Sequence, residues 1–367
     1  MSFRLYLAGP EDEAEIRHLL KTNPLPGRVS VTYEREPDYF LGCRTLGRSC
    51  QVVVARDERS GELAAVVCRA TRPAWVNGEV EEVGYLNGAR VAGRFRGCWL
   101  VPRSLKYLGD LDADSQVSGH LAAITEGSRE ARAILVEKAR PGLPRFREAG
   151  RMYTAAISVR APLFDQTSPP WLRRATPEDL PRIVAFLNEH GRGRQFSPFY
   201  GEEDFLPSTT PGFAVEDFML AERDGEIRGV IGLWDQSDCK QTVVRGYSGA
   251  LRYARPLYNA GARLTRRHPL PAPGESLSFA YASFVRVAGD DRTVFRALLR
   301  SVHGLAAKRG YAYLVAGLAE GDPLLPEIRR YSHVPYRSRL YTVTWPGGEG
   351  FHEKLDGRAP HVEISCL

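Results

Sequence analysis

The sequence predicts a mixed α/β protein built from two tandem copies of one unit. Three observations predict it. The string Arg-Val-Ala-Gly-x-x-Arg occurs at 90–96 and again at 286–292. The segments around each occurrence resemble one another in the same order along the chain. At 367 residues the chain is longer than one ordinary hydrophobic core and suits two.

Each copy opens with a helix. GPEDEAEIRHLL (9–20) and TPEDLPRIVAFL (176–187) share Pro-Glu-Asp, then Ile16 with Ile183 and Leu20 with Leu187. Acidic residues at the start and apolar residues at helical spacing describe an amphipathic helix. DYFLG (38–42) is echoed by EDFLP (203–207). VVVARDERSGELAAVV (52–67) and FMLAERDGEIRGVIGL (218–233) each read as strand, turn, strand.

The repeated motif follows an alternating apolar stretch in both copies, EEVGYLNGA and LSFAYASFV, and precedes a helix. The second of these helices carries Phe295, Leu298, Leu299, Val302, Leu305 and Ala306 as one stripe. HLAAITEGS (120–128) and YLVAGLAEGD (313–322) are then apolar strands ending at Glu-Gly. The expected units are 1–160 and 173–346, joined by a Pro-rich linker at 161–172 and followed by a tail at 347–367. The second copy carries an extra segment at 236–275.

Composition narrows the function. Hydrophobic residues make up 43% and charged residues 26%, as in soluble globular proteins. The N-terminus lacks a signal-peptide pattern and no apolar stretch reaches the length of a membrane span, so a cytoplasmic protein without a membrane partner is expected. The net charge of +6 rests on 44 arginines and 6 lysines. Arginine suits phosphate groups, but no dense basic run with interleaved aromatics marks a nucleic-acid surface. Cys43, Cys50, Cys68, Cys98, Cys239 and Cys366 include no CxxC pair, and no His cluster has ligand spacing, so metal-free chemistry is expected.

A strand running into a helix presents unpaired amides at the positive end of the helix dipole, which is a phosphate site. Arg96-Gly-Cys-Trp99-Leu-Val101 and Arg292-Thr-Val-Phe295-Arg-Ala297 occupy such junctions. Here the sequence resembles the GCN5-related N-acetyltransferase family, whose acyl-CoA loop reads [Q/R]-x-x-G-x-[G/A] after the fourth strand. Trp99 and Phe295 stand where the family prefers glycine, and Val101 replaces its final small residue. The resemblance covers both halves and implies two tandem acyl-CoA N-acyltransferase units.

It implies acetyl-CoA as co-substrate, no metal, and acyl transfer to an amine on a small molecule or peptide. Coenzyme contacts are then expected from Val91, Arg94, Arg96, Gly97, Cys98 and Trp99, and from Val287, Arg292, Thr293 and Val294 in the second half. The pantetheine gap would be lined by Gly88 and the residues after it, or by 282–285. Glu82, Glu81 and Glu126 are the implied candidates for the base, and Tyr331 for the acid. Tyr33, Asp38, Tyr39, Phe40, Phe199 and Tyr200 are candidate acceptor-wall residues, and 190–213 is a candidate lid. Two other readings share the fold: a non-catalytic acyl-CoA sensor, and an aminoacyl or peptidyl transferase.

Overall fold

The computed structural model describes residues 2–111, 117–138, 141–160, 169–265, 268–348 and 350–367. Most of the expected linker, 161–168, lies outside the described residues. The first half runs β1 (Phe3–Leu7), α1 (Glu13–Thr22), β2 (Val29–Glu34), α2 (Tyr39–Arg44), β3 (Ser49–Asp57), β4 (Leu63–Val76), β5 (Glu79–Val91), α3 (Leu100–Leu111), β6 (Gly119–Thr125), α4 (Arg129–Arg132) and β7 (Arg145–Ser158). The second runs β8 (Leu172–Arg174), α5 (Leu180–Gly191), β9 (Phe218–Arg223), β10 (Glu226–Trp234), β11 (Gln241–Tyr247), α6 (Ala250–Leu264), β12 (Phe279–Val287), α7 (Arg292–Lys308), β13 (Tyr313–Ala319), α8 (Leu325–Arg329), β14 (His333–Thr344) and α9 (Gly350–Glu353).

The duplicated segments fold alike. Asp12 and Asp179 are both buried, and each accepts the amide three residues before it, Gly9 N at 3.1 Å and Thr176 N at 2.9 Å. An arginine from a neighbouring strand closes each turn: Arg56 on Asp12 and Arg173 on Asp179. The apolar stripe of α7 is buried at Phe295, Leu298, Leu299, Val302 and Ala306, as its spacing requires. Among the described residues no helix is long and apolar enough to cross a membrane.

Twelve strands form one sheet in the order β1-β3-β4-β5-β6-β14-β7-β13-β12-β10-β9-β8. The halves exchange their last strands. β14 pairs with β6 of the first half, and β7 pairs with β13 of the second. At the centre β14 and β7 pair antiparallel from His333↔Ile157 to Thr344↔Arg145. Neither half closes its own sheet, because the free edge of β6 or β13 is covered only by the other's strand. The extra segment of the second half adds a further tie: β11 pairs with β2 in a separate two-stranded sheet, where Arg245 meets Glu34.

The expected lid does not lie open. Gln195, Phe196, Ser197 and Tyr200 are buried, and the segment is hydrogen-bonded to the end of β4 through Trp75 N–Ser197 O (2.8 Å) and Phe196 N–Trp75 O (2.7 Å). Its other side bonds the tail, Gln195 N to Ala359 O and His361 N to Gln195 O. Residues 195–200 of it are a splice between β4 and the C-terminal segment.

Candidate active site

Two places in the sheet have parallel neighbours, and both come apart. β5 pairs with β6 only from Val83↔Gly119 to Leu86↔Ala122. β12 pairs with β13 only from Phe279↔Tyr313 to Tyr281↔Val315. Beyond those points the strands separate into a wedge. Each wedge carries a bulge on its first strand, opposite Val66–Cys68 in β4 and opposite Val230–Gly232 in β10. The residue at the bulge is left-handed in both, Gly88 (φ 66°) and Phe284 (φ 56°). A bulge releases backbone groups from the ladder and turns them toward the gap.

The first wedge is open. Gly88 and Ala89 are exposed, and Asn87 and Arg90 are half-buried. Past Val91 and Ala92 the chain turns through Gly97 (φ 85°) and Trp99 (φ 57°) into α3. Trp99 therefore adopts the left-handed conformation that glycine takes freely, which costs a non-glycine residue about 1–2 kcal/mol. A Cβ on Gly97 would meet nothing within 4 Å, so that glycine is required by its dihedral angle.

In the first turn of α3 the Leu100 and Val101 amides have no intrahelical acceptor, Pro102 has no N–H, and Arg103 N donates to Trp99 O at 3.1 Å. Arg96 beside them is exposed and forms no ion pair among the described residues. Arg94 is committed elsewhere, to Glu62 (2.6 Å) and Ser60 (2.7 Å), with its guanidinium over the Phe95 ring. Cys98 and Val91 pack, half-buried, on the core beneath. A recess of about 540 Å³ lies between α1 and the turn at Ala92–Arg94, but Glu15 and Glu62 line it, which disfavours an anion there.

The second wedge is filled by the protein's own tail. Phe284 N donates to Glu363 Oε2 at 2.9 Å, in the gap the bulge opens. Ile364 covers Gly317 of β13 so closely that a Cβ there would stand 2.7 Å from it. Ser365 O accepts from Gln236 Nε2 (3.1 Å) and from Lys240 Nζ (3.0 Å), and burial pushes the Lys240 ammonium down to about 8. Cys366 Sγ reaches Thr45 O of the first half at 3.0 Å. Arg286, the counterpart of Arg90, is 8% exposed and donates to Val285 O, the His361 ring and Ser197 Oγ.

The helix mouth of this half is spent as well. Asp291 caps α7, accepting from Thr293 N (2.7 Å) and Val294 N (3.2 Å). Arg292 Nε donates to Pro323 O (2.8 Å), and Val287 and Phe295 are core residues.

The remaining candidates are dispersed. Glu81 and Glu82 stand at the start of β5; six residues separate Glu82 from Gly88, about 20 Å of extended chain. Glu81 is paired with Lys354 at 2.6 Å. Glu126 follows β6 at the wedge end of the strand, and its carboxylate faces Arg339 at 3.7 Å. Tyr331 lies in the outer layer against His303 of α7, and burial raises its pKa.

Of the wall residues, Tyr33 is 52% exposed, while desolvation, opposed by Arg90, still raises its pKa. Both hold for a ring on the side of an open recess. Asp38 caps α2, accepting from Phe40 N and Leu41 N, and Phe40 packs edge-on against Tyr39. Phe199 packs on Trp75, and Tyr200 is a core residue beneath Arg72.

Tyr39, expected as a wall residue, lies by the first bulge, while Arg35, Tyr85 and Tyr281 escaped the sequence reading. Tyr39 is 1% exposed, and its hydroxyl would lie 3.8 Å from a Cβ on Gly88. Arg35 lies against the same point, 3.9 Å away, with its guanidinium 4.8 Å from the Tyr39 ring centre. Tyr85 and Tyr281 each stand three residues before a bulge, and burial drives both hydroxyls well above their ordinary pKa. The signal for this pair was present: in both copies a tyrosine stands five residues before the arginine of the repeated motif.

Strand order, paired wedges and bulges together define the fold. The yeast Saccharomyces cerevisiae N-myristoyltransferase, solved with bound myristoyl-CoA, superposes with a TM-score of 0.64 at 11% identity, over 93% of this chain and 82% of that one. A GCN5-related N-acetyltransferase from Sphaerobacter thermophilus superposes with a TM-score of 0.55 at 17% identity, over 100% of this chain and 98% of that one. The chain has the GCN5-related N-acetyltransferase fold. No family model and no curated protein matches its sequence. Within this fold the parallel pair that separates is β5 with β6 in one half and β12 with β13 in the other.

Proposed function

We propose that the protein is an acyl-CoA-dependent N-acyltransferase whose coenzyme binds in the first wedge alone, with acetyl as the acyl group. The observation that carries this reading is the contrast between the wedges. One is open, with Arg96 exposed just before α3; the other is closed by Glu363 and Asp291. Two further features suit the coenzyme. Arg96 and the α3 amides fit a diphosphate, and the unpaired edge of β5 at Asn87–Ala89 fits an extended amide-bearing arm.

Such an arm would place its thioester by the Gly88 bulge. There Tyr85, held protonated by burial, can donate to the carbonyl oxygen or the departing sulfur. The acceptor amine, on a small molecule or peptide, would enter past Tyr33 and Tyr336, which are 52% and 44% exposed. With Glu81 and Glu82 remote and the Tyr85 phenol protonated, the amine reaches the thioester already neutral, its proton passed to water.

Calorimetric titration with acetyl-CoA tests the binding. One site per chain is expected, weakened by Arg96→Ala and unaffected by Arg292→Ala; loss only with Arg292→Ala, or no binding at all, overturns the assignment. The positions of Glu81, Glu82 and Tyr331 favour a second reading, an acyl-CoA sensor. Thiol release on adding an amine library supports the transferase, and binding without release supports the sensor.

A further inference from the structure

Behind the Gly88 bulge lies a cluster that acyl transfer does not use. Cys43 from α2, Cys50 from β3 and Cys68 from β4 bring their sulfur atoms within 4.8 Å of one another. Cys50 and Cys68 sit diagonally on one face, since Cys50 pairs with Ala70 and Val52 with Cys68, and their sulfurs are 3.1 Å apart. A second observation points the same way. The Tyr39 hydroxyl is buried with no hydrogen-bond partner, on the same side of the sheet. A Cβ on Gly88 would lie 3.6 Å from Cys68 Cβ and 3.8 Å from Tyr39 Oη.

We propose that Cys43, Cys50 and Cys68 bind one thiophilic divalent cation, Zn²⁺ by its chemistry, with the Tyr39 hydroxyl facing the fourth position. Tetrahedral Zn²⁺ with sulfur ligands at about 2.3 Å separates those sulfurs by about 3.8 Å, inside the range the three span. The charges close: three thiolates are balanced by a divalent ion and the buried Arg35 guanidinium. Arg35 Nη1 already donates to Cys43 Sγ at 2.7 Å, the kind of outer contact that orients a metal ligand.

Cys43 and Cys68 are buried and Cys50 is partly exposed, which leaves a way in from the Cys50 side. The ion would pin α2, which carries Tyr39 and Phe40, to the sheet behind the wedge. Its role is structural, independent of the acyl-transfer reading.

The test uses the full chain, purified reduced, stripped with a chelator and titrated with Co²⁺. A thiolate-to-cobalt charge-transfer band saturating at one equivalent and bleached by Zn²⁺ is expected, with a higher melting temperature in Zn²⁺. Cys43→Ser, Cys50→Ser and Cys68→Ser should each weaken Zn²⁺ binding at least about tenfold, while Cys98→Ser and Cys239→Ser leave it unchanged. Circular dichroism checks that each variant folds; should Cys43→Ser unfold, Cys50→Ser at the partly exposed position still decides. Absence of the band, or its persistence in a Cys50→Ser/Cys68→Ser double variant, overturns the proposal.

Discussion

Replacing Glu363 separates the two things its carboxylate does in the second wedge. Its oxygen accepts the buried Phe284 amide at 2.9 Å, and its charge lies near Arg286. Glu363→Ala leaves that amide without an acceptor, a loss of about 1–3 kcal/mol for one buried donor, and leaves Asp322 as the remaining carboxylate near Arg286. Glu363→Gln keeps an acceptor oxygen and removes a carboxylate whose ionisation burial opposes.

Because burial raises the folded-state pKa of Glu363, ionisation favours the unfolded chain. The destabilisation therefore grows as pH rises from the unfolded value through the folded one. At pH 7 the Gln variant should fall within about 1 kcal/mol of the parent, and its stability should depend less on pH in that window. Urea unfolding at pH 7 measures both variants, and acetyl-CoA titration should still give one site in each. An alanine variant within about 0.5 kcal/mol of the parent, or a glutamine variant as weak as the alanine one, would refute this account of the tail.

Three other outcomes are expected. Arg96→Ala should weaken acetyl-CoA binding by about 10–100-fold, the worth of one charge-assisted hydrogen bond, measured by calorimetry beside Arg292→Ala. The rate with subsaturating amine should rise with pH at unit slope until the acceptor's own pKa; a plateau well below that pKa would reveal a protein base. Burial, with Arg69 nearby, pushes the His120 imidazole down to about 3, so below about pH 6.5 the unfolded chain takes up a proton the folded chain refuses. Stability should therefore fall by about 2 kcal/mol from this residue by pH 5, and His120→Asn should remove that dependence, read by urea unfolding at pH 7 and pH 5.

Much of the wedge architecture was legible because it was written twice. Pro-Glu-Asp before Ile16 and Ile183, the strand–turn–strand pairs and Arg-Val-Ala-Gly all stand at matching places in the two halves. Local chemistry decides such elements: an acidic first turn, alternation, a turn after an apolar run. Arg90 and Arg286 show the limit of that legibility. They have identical motifs, yet one faces an open cleft and the other is buried against His361, a residue 75 positions later. Spacing upstream of the motif selected Glu81 and Glu82, but where parallel pairing stops, at Leu86 and Ala122, determines which β5 residues line the gap.

The amino-acid sequence alone determined the duplicated α/β units, the helix stripes and the strand-to-helix junctions at Arg96 and Arg292, since each depends on residues close together in the chain. Tertiary structure decided the rest. It placed β14 beside β6 and β7 beside β13, and it filled the second wedge with the tail. It also gathered Cys43, Cys50 and Cys68, whose spacing follows no metal motif, because helix and strands deliver them to one face. These contacts join residues far apart in sequence through sheet register and packing, and no local pattern encodes which of two equivalent gaps is left open.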